Sequence, residues 1–273
     1  MNYFVPLHRF YKSARKMKPI IKWAFSALMF LSAPSFAVAQ DKPEAYVDAD
    51  VVTSYMWRGQ KLGNVSLQPE MGVNWKGLNL EVWGSVGLEH TDTREIDVTL
   101  GYSNFGFNVG VTDYWSSGVD ENDLYFNFNK KGAHQLEANL GYTCKWFSLQ
   151  AYTMVWGNDF KVNGQQAYST YVELGVPFTF GDVDWELKAG VTPFESAGVA
   201  HVEDEQTDLG IIRHTKYDFF YAEGFACVQA SLRATKTLDL GFTKLPLFAE
   251  FHANPYMQTL HVIGGLTITP FKK

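Results

Sequence analysis

The chain is poor in cysteine, poor in basic residues beyond its first 39 positions, and has no long apolar run. Its two cysteines, Cys144 and Cys227, are too few for a disulfide framework, so we expect two unpaired thiols. Residues 1–39 hold six of the 23 Lys and Arg residues and no acidic residue, which leaves 17 basic against 29 acidic residues, a net charge near −12. A chain this acidic is a poor nucleic-acid binder, so we expect no nucleic-acid partner.

The apolar run at 23–31 is far shorter than the roughly 20 residues that a membrane-spanning helix needs. It follows two lysines, and small residues at Ala37 and Ala39 come after it. This order is typical of a secretory signal peptide that is cut after Ala39. We therefore predict a signal peptide over 1–39 and one exported domain over 40–273.

Alternation with a period of two runs through the exported domain. In "LQPEMGVNWKGLNLEVWGS" (67–85), alternate residues are apolar, and the phase resets at Lys76-Gly77. This pattern predicts a β-hairpin. We find the same alternation in ten further segments and no long run with the period of a helix. The twelve predicted strands are 45–58, 67–75, 78–85, 95–103, 105–115, 134–142, 147–156, 171–178, 183–191, 220–233, 245–252 and 260–269.

Charge and loop length indicate which face of each strand points outward. The apolar faces are almost uncharged, with Asp113 and Asp218 as exceptions, and aromatic residues such as Tyr55, Trp57 and Trp75 lie near strand ends as in the interfacial girdles of membrane barrels. Short turns alternate with mostly longer loops, as in outer-membrane barrels. The polar faces carry the candidate pore-lining residues: Asp48, Asp50, Arg58, Glu70, Glu81, Glu95, Asp97, Glu137, Glu173, Asp184, Glu186, Lys188, Glu223, Arg233 and Glu250.

These observations predict an all-β fold: a single up-and-down antiparallel transmembrane β-barrel of twelve strands. With an even number of strands, both termini lie at the short-turn end, which we expect to be periplasmic. A soluble two-sheet sandwich, with the apolar faces buried between the sheets, remains the alternative fold.

The excess of carboxylates predicts a water-filled lumen, because unpaired buried charges are costly. Fixed negative charge favours cations in transit, so we expect a porin-like channel for small solutes with a preference for cations. Arg58 is expected to pair with Glu70 on the adjacent strand. The alternatives are a barrel that binds a surface partner without transport and, less favoured, a lipid-modifying barrel enzyme.

We find no enzyme signature and predict no cofactor. His134 is the one histidine on an apolar face, and it has no evident serine partner. The long predicted loop 194–216 contains "HVEDEQTD" (201–208), whose spacing matches no metal-binding pattern. We interpret this segment as a solvated charge run.

Several segments resemble a known family of membrane proteins. "DVVTSYMWRGQ" (50–60), "HQLEANLGY" (134–142), "TMVWGNDF" (153–160), "AYSTYVELGVPF" (167–178) and "LPLFAEFHANPYMQTLHVIGGLTI" (245–268) resemble, in this order, the TorF-type porins and particularly their Bacteroidales relatives. The resemblance covers nearly all of the exported domain, and Cys227 in "FACV" departs from it. It implies a porin-like barrel in the outer membrane of a Gram-negative bacterium, in contact with membrane lipid and with small solutes or cations.

Overall fold

A computed structural model describes residues 42–89, 92, 94–117, 124–130, 132–207, 210–241 and 243–270. The predicted signal peptide and the acidic segment 118–123 lie outside these residues. In the described part of the chain, no helix has the length and apolar character to cross a membrane.

The described residues form sixteen β-strands. Their bounds are β1 Glu44–Val52, β2 Tyr55–Trp57, β3 Gln60–Gly63, β4 Ser66–Trp75, β5 Leu78–Gly87, β6 Arg94–Asn104, β7 Phe107–Ser117, β8 His134–Thr143, β9 Ser148–Trp156, β10 Thr170–Phe180, β11 Val183–Thr192, β12 Gly198–Thr207, β13 Gly210–Phe219, β14 Ala226–Asp239, β15 Lys244–Asn254 and β16 Thr259–Ile268.

Twelve of these strands close into one antiparallel barrel, which confirms the predicted fold. The order around the barrel is β1, β4, β5, β6, β7, β8, β9, β10, β11, β14, β15 and β16, after which β16 returns to β1. The closing seam is short: β1 and β16 pair over four residues each, whereas β1 and β4 pair over nine. Beside this seam, the hydroxyls of Thr267 and Thr269 donate to the carboxylates of Asp50 and Asp48 at 2.6 and 2.5 Å.

Two barrel turns have two residues each, and both residues have positive φ. The angles are 50° and 87° at Lys76-Gly77 and 52° and 85° at Phe105-Gly106, which is the type I′ geometry that matches the twist of the paired strands. A Cβ on Gly77 would lie 2.5 Å from the carbonyl oxygen of Ser103. Glycine at this position therefore serves both the turn and the close approach of the next strand.

The outer face of the barrel is apolar. In β4, Leu67, Met71 and Val73 are exposed, while Ser66, Gln68 and Gly72, which alternate with them, are buried. The same phase holds around the barrel, where the exposed side chains include Leu80, Leu100, Leu140, Leu174, Leu187, Phe251 and Val262. The apolar faces therefore point outward, which excludes the sandwich.

Two hairpins lie outside the barrel sheet, and both correct a predicted boundary. The predicted strand 45–58 is too long, because the chain leaves the barrel after Val52 and turns back as the β2–β3 hairpin. The predicted loop 194–216 is mostly the β12–β13 hairpin. Alternation was misleading at 45–58 because a strand of the β2–β3 hairpin has the same period as a strand of the barrel wall.

The start of β14, the barrel strand after the β12–β13 hairpin, was also predicted too early. β14 begins at Ala226, not at residue 220, and a β-bulge opposite Gly190 and Val191 turns Val228 into the interior. Residues 220–225 precede this strand, and Phe220 and Ala222 within them are buried instead of facing outward. The inserted β12–β13 hairpin thus returns to the barrel through a segment that packs inside it.

The main hydrophobic core lies within the barrel, towards the end with the long connections. It joins wall residues such as Tyr114, Tyr152 and Tyr171 to Phe220, Tyr221 and Ala222, with Trp57 packed against them. We call residues 53–65, 194–197 and 220–225 the plug. Tyr55 and Trp57 belong to the plug, so their predicted place in an outer aromatic girdle is wrong.

Candidate functional site

The turn of the β2–β3 hairpin crosses the lumen. On one side, Arg58 contacts Glu137 of β8. On the other side, the backbone N–H of Gly59 donates to Nε2 of His252 at 3.1 Å, and the side-chain amide of Asn254 donates to the carbonyl of Gly59 at 3.3 Å. Since β8 and β15 are five strands apart in a ring of twelve, this turn connects nearly opposite sides of the barrel.

Arg58 and Glu137 form a buried, two-pronged ion pair. Nη1 of Arg58 lies 2.5 Å from one carboxylate oxygen of Glu137, and Nη2 lies 2.7 Å from the other. Their side chains are 6% and 1% exposed. Burial opposes the charge of Arg58, but the Glu137 carboxylate outweighs burial, so the pKa of the guanidinium lies well above its usual value.

Aromatic rings surround this guanidinium. Its carbon lies 4.4 Å from the ring centroid of Trp57, 4.1 Å from that of Tyr152 and 5.0 Å from that of Tyr171. The hydroxyl of Tyr114 donates to Glu137 at 2.9 Å, and the Tyr221 hydroxyl accepts from Arg58 at 2.9 Å. Burial raises the pKa of the Tyr221 hydroxyl, which therefore meets the guanidinium as a neutral group.

The predicted pairing of Arg58 with Glu70 is wrong. The chain leaves the barrel wall after Val52, and the hairpin carries Arg58 away from β4 to β8. The expectation of a fully hydrated lumen is also corrected at this level, because the side chains around Glu137 pack together with almost no exposed surface.

Away from the plug pair, the lumen has an acidic wall, which we define as β1, β4, β5 and β6. Arg94 is the single basic residue in these strands, and it shares the outward face with Ile96. The predicted carboxylates on the inward faces are those of Asp48, Asp50, Glu70, Glu81, Glu95 and Asp97, and Glu44 at the start of β1 has the same phase. The strands of the acidic wall thus carry seven carboxyl groups on the inward phase and no inward-facing cation.

On the acidic wall, hydroxyl groups and not cations are the hydrogen-bond donors to the carboxylates. Besides the two threonine hydroxyls at the seam, the Tyr46 hydroxyl donates to Glu81 at 2.5 Å. The Tyr46 ring lies across Gly72, where a Cβ would come within 2.6 Å of it. Oδ1 of the buried Asp97 has no hydrogen-bond partner among the described residues. Neutral donors hold a carboxyl group in place but supply no positive charge.

The opposite side is a paired wall, which we define as β10, β11, β14 and β15. Nζ of Lys188 lies 3.6 Å from Glu173 and 3.5 Å from Glu186. Glu250 lies 3.9 Å from the guanidinium of Arg233 and 2.9 Å from Nδ1 of His252. Each of these three carboxylates therefore has a cationic or protonatable partner.

Two further predicted residues lie outside these clusters. Glu223 is exposed in the plug segment 220–225, so its predicted place on the polar face of a barrel strand is wrong. Asp184 lies beside the β10–β11 turn and accepts a hydrogen bond from Thr179 at 3.0 Å. The other predicted pore-lining residues lie on inward faces or, in the case of Arg58, in the plug.

Sequence reasoning missed the tyrosines. Tyr114, Tyr152, Tyr171 and Tyr221 shape the surroundings of Arg58, although none of them was predicted as a site residue. Tyr114 and Tyr171 occupy the polar phase of their strands. A bulky ring at such a position signals that something packs inside the barrel.

Asp113 of β7 and His134 of β8, two polar residues on the apolar faces of their strands, contact each other. Nδ1 of His134 lies 2.9 Å from the Asp113 carboxylate, and Nε2 faces the carbonyl oxygen of Tyr125. The Phe128 ring covers the imidazole at a centroid distance of 4.2 Å. Nε2, the nitrogen through which a histidine activates a catalytic serine, thus faces the carbonyl oxygen of Tyr125. Segment 124–130 shields Asp113 and His134.

The thiols and acidic groups form no further site in the described part of the chain. Cys144 and Cys227 are both unpaired, as predicted. In the same residues, no three His, Cys, Asp or Glu side chains converge in a way that could hold a metal ion.

The fold and this interior define a class of protein: a closed twelve-stranded β-barrel with an apolar exterior, a polar interior and an internal plug. Within that class, residues 41–236 match the family Gcw_chp, described as a bacterial protein of unknown function, and the chain belongs to this family. A TorF-type assignment is not confirmed. Comparison with curated proteins gives no match.

Among solved structures, the chain is similar to Salmonella typhi OmpF in a complex with daunomycin. The sequence identity is 10%, the TM-score is 0.32, and the alignment covers 82% of this chain and 96% of that one. The likeness is too distant to inform function.

Proposed function

We propose that this chain spans the outer membrane and passes small cationic solutes through its lumen. The closed barrel presents exposed aliphatic and aromatic side chains outward around the ring. Contact of these side chains with water is unfavourable, whereas contact with hydrocarbon is not. A closed barrel leaves no unpaired strand edge, the condition for crossing lipid with strands. We place the termini on the periplasmic side, with the short turns.

The observation that carries the proposed cation preference is the acidic wall. Its seven carboxyl groups lie on the inward phase, with neutral donors and no inward cation in these strands. In a narrow lumen, opposing sides lie within about one Debye length, roughly 8 Å at physiological ionic strength. Cations are then concentrated near the acidic wall and anions are repelled.

The plug sets the size limit in this proposal. It crosses the lumen near the long connections and contacts both β8, through Arg58 and Glu137, and β15, through Gly59 and His252. A solute therefore passes beside the β2–β3 hairpin or passes when the hairpin moves. Only small solutes fit the first route.

The test is the reversal potential of the purified mature chain in a planar bilayer under a KCl gradient. We expect cation selectivity, which should fall towards the unselective value when Asp48→Asn, Asp50→Asn and Glu70→Gln are combined. The matched control neutralises three carboxylates outside the barrel wall, Glu89, Asp182 and Asp218, and should keep the selectivity of the parent chain. Anion preference in the parent chain would contradict the proposal.

The plug also favours a second candidate, a barrel that binds at the cell surface without transport. A buried ion pair inside a tyrosine cluster is an arrangement suited to keeping a lumen shut. This candidate predicts no current from the parent chain at any voltage that the bilayer tolerates. A steady single-channel conductance would exclude it.

A further inference from the structure

The surroundings of Arg58 are built mainly by the barrel wall. Tyr114, Glu137, Tyr152 and Tyr171 come from four consecutive strands, β7, β8, β9 and β10, and all four side chains are buried. The register of neighbouring strands fixes their relative positions, with Tyr152 directly opposite Tyr171 and Glu137 opposite Thr112. We call these four residues the cage. Because its members belong to the wall, the cage does not depend on the plug for its shape.

The chemistry of the cage suits an organic cation with N–H groups. Glu137 presents both carboxylate oxygens to two nitrogens of one guanidinium, the bidentate geometry that a planar guanidinium matches. Tyr152 and Tyr171 present ring faces at 4.1 and 5.0 Å from its carbon, and such faces attract guanidinium and alkylammonium groups. Tyr114 orients the carboxylate through its hydroxyl.

The turn that carries Arg58 does not itself require arginine. Arg58 and Gly59 have φ of 47° and 84°, close to the values of the barrel turns at Lys76-Gly77 and Phe105-Gly106. In those turns the first side chain is exposed, with Phe105 at 89%, whereas Arg58 is at 7%. Asn is the residue usually favoured at this position. Arg58 is therefore explained by what its side chain reaches.

We propose that the cage is a binding site for guanidinium or alkylammonium groups of small solutes, and that Arg58 occupies it as an internal ligand. A solute with such a group competes with Arg58 and releases the hairpin turn from β8. This inference rests on the proposed function, because it names the solute class of the channel. Binding can nevertheless be measured without any current.

The experiment is calorimetric titration of the mature chain in detergent with ethylguanidinium chloride, and with ethylurea as the uncharged analogue. The parent chain should bind ethylguanidinium weakly and ethylurea not at all. Arg58→Asn, which keeps a residue suited to the turn, removes the competitor and should tighten binding by about tenfold or more. Adding Glu137→Gln to this variant should abolish binding.

The matched control is Arg233→Asn. Arg233 is also a lumen arginine over an aromatic ring, 3.5 Å from the Phe248 centroid and near Glu250, but its side chain is 34% exposed. Its replacement should leave the affinity for ethylguanidinium at the parent value. If Arg233→Asn increased the affinity as much as Arg58→Asn does, the increase would come from the lower positive charge of the lumen. The cage would then not be the binding site.

Two other results would also overturn the inference. One is the absence of binding to Arg58→Asn in a sample whose heat-modifiable gel migration shows a folded barrel. The other is binding to Arg58→Asn with none to the parent chain at roughly a hundredfold higher concentration, because a purely structural ion pair behaves in this way. If Arg58→Asn does not assemble, the parent titration decides alone. Binding without conductance would refute the channel and leave the site standing.

Discussion

The acidic wall and the paired wall hold their lumen carboxylates in place by different interactions. On the paired wall, Lys188 and Arg233 lie near three carboxylates, and their charges compensate locally. On the acidic wall, Thr267, Thr269 and Tyr46 donate hydroxyl hydrogens, which hold the carboxylates but do not neutralise them. The carboxylate side chains of this lumen can therefore be held in place with or without a cationic partner.

The difference arises on the inner face alone. Both walls are antiparallel strands with exposed leucines outside, such as Leu80 on β5 and Leu187 on β11. Their backbones belong to one continuous sheet. Alternation allows this independence, because successive side chains in a strand point to opposite faces.

The largest expected effect tests whether the two walls share the same exterior. Leu187→Arg on the paired wall and Leu80→Arg on the acidic wall each place a charge against hydrocarbon, which costs about 2–4 kcal/mol near the bilayer midplane. The measurement is the folded fraction in lipid vesicles across a urea series. Glu70→Arg, which faces the lumen opposite Asp48 of the neighbouring strand, is the control and should assemble almost normally. Equal losses for Leu80→Arg and Glu70→Arg would contradict the assignment of the outer and inner faces.

The next effect tests the role of hydroxyl donors on the acidic wall. Tyr46→Phe removes the hydrogen bond to the buried Glu81 carboxylate, and a bond to a charged group contributes about 1.5–3 kcal/mol. The urea midpoint should fall accordingly. Combining Tyr46→Phe with Glu81→Gln should restore most of the loss, since no buried charge is then left without its donor. An unchanged midpoint for Tyr46→Phe would remove the distinction between the walls.

The smallest effect concerns the ion pairs of the paired wall. Lys188→Gln removes a cation at 3.5 and 3.6 Å from two carboxylates, and pairs of this kind contribute about 0–1 kcal/mol. The difference in unfolding free energy from the parent chain should shrink at about 1 M salt, where the Debye length is roughly 3 Å. The loss from Tyr46→Phe should persist at that salt concentration. Equal salt responses of the two variants would show that both walls rely on the same kind of interaction.

The barrel could be predicted because its signals are local. Lys76-Gly77 between two alternating runs encodes a turn and its register, and the apolar phase of each strand follows from residues such as Leu67 and Val73. The burial pattern repeats that phase. The strand number, the outward face and the closure all followed from these short-range patterns.

The plug could not be predicted in the same way, because its contacts join residues far apart in the sequence. Arg58 reaches Glu137 over 79 positions and Tyr221 over 163. The alternation of 45–58 continues without interruption past Val52, where the chain leaves the wall. No local pattern distinguishes a strand of the wall from a hairpin inside it, so Arg58 was assigned to the nearest acidic strand.

The seam between the first and last strands has a consequence for the order of assembly. The contacts that close it, between Asp50 and Thr267 and between Asp48 and Thr269, span 217 and 221 positions. The chain-entropy cost of bringing such distant residues together grows with the length of the loop that they close, and non-local pairings of this kind slow folding. The pairing of four residues on each strand is the shortest between neighbouring strands of the barrel. We expect an open, curved sheet to persist until this pairing forms, so that cylinder closure is the slow step of biogenesis.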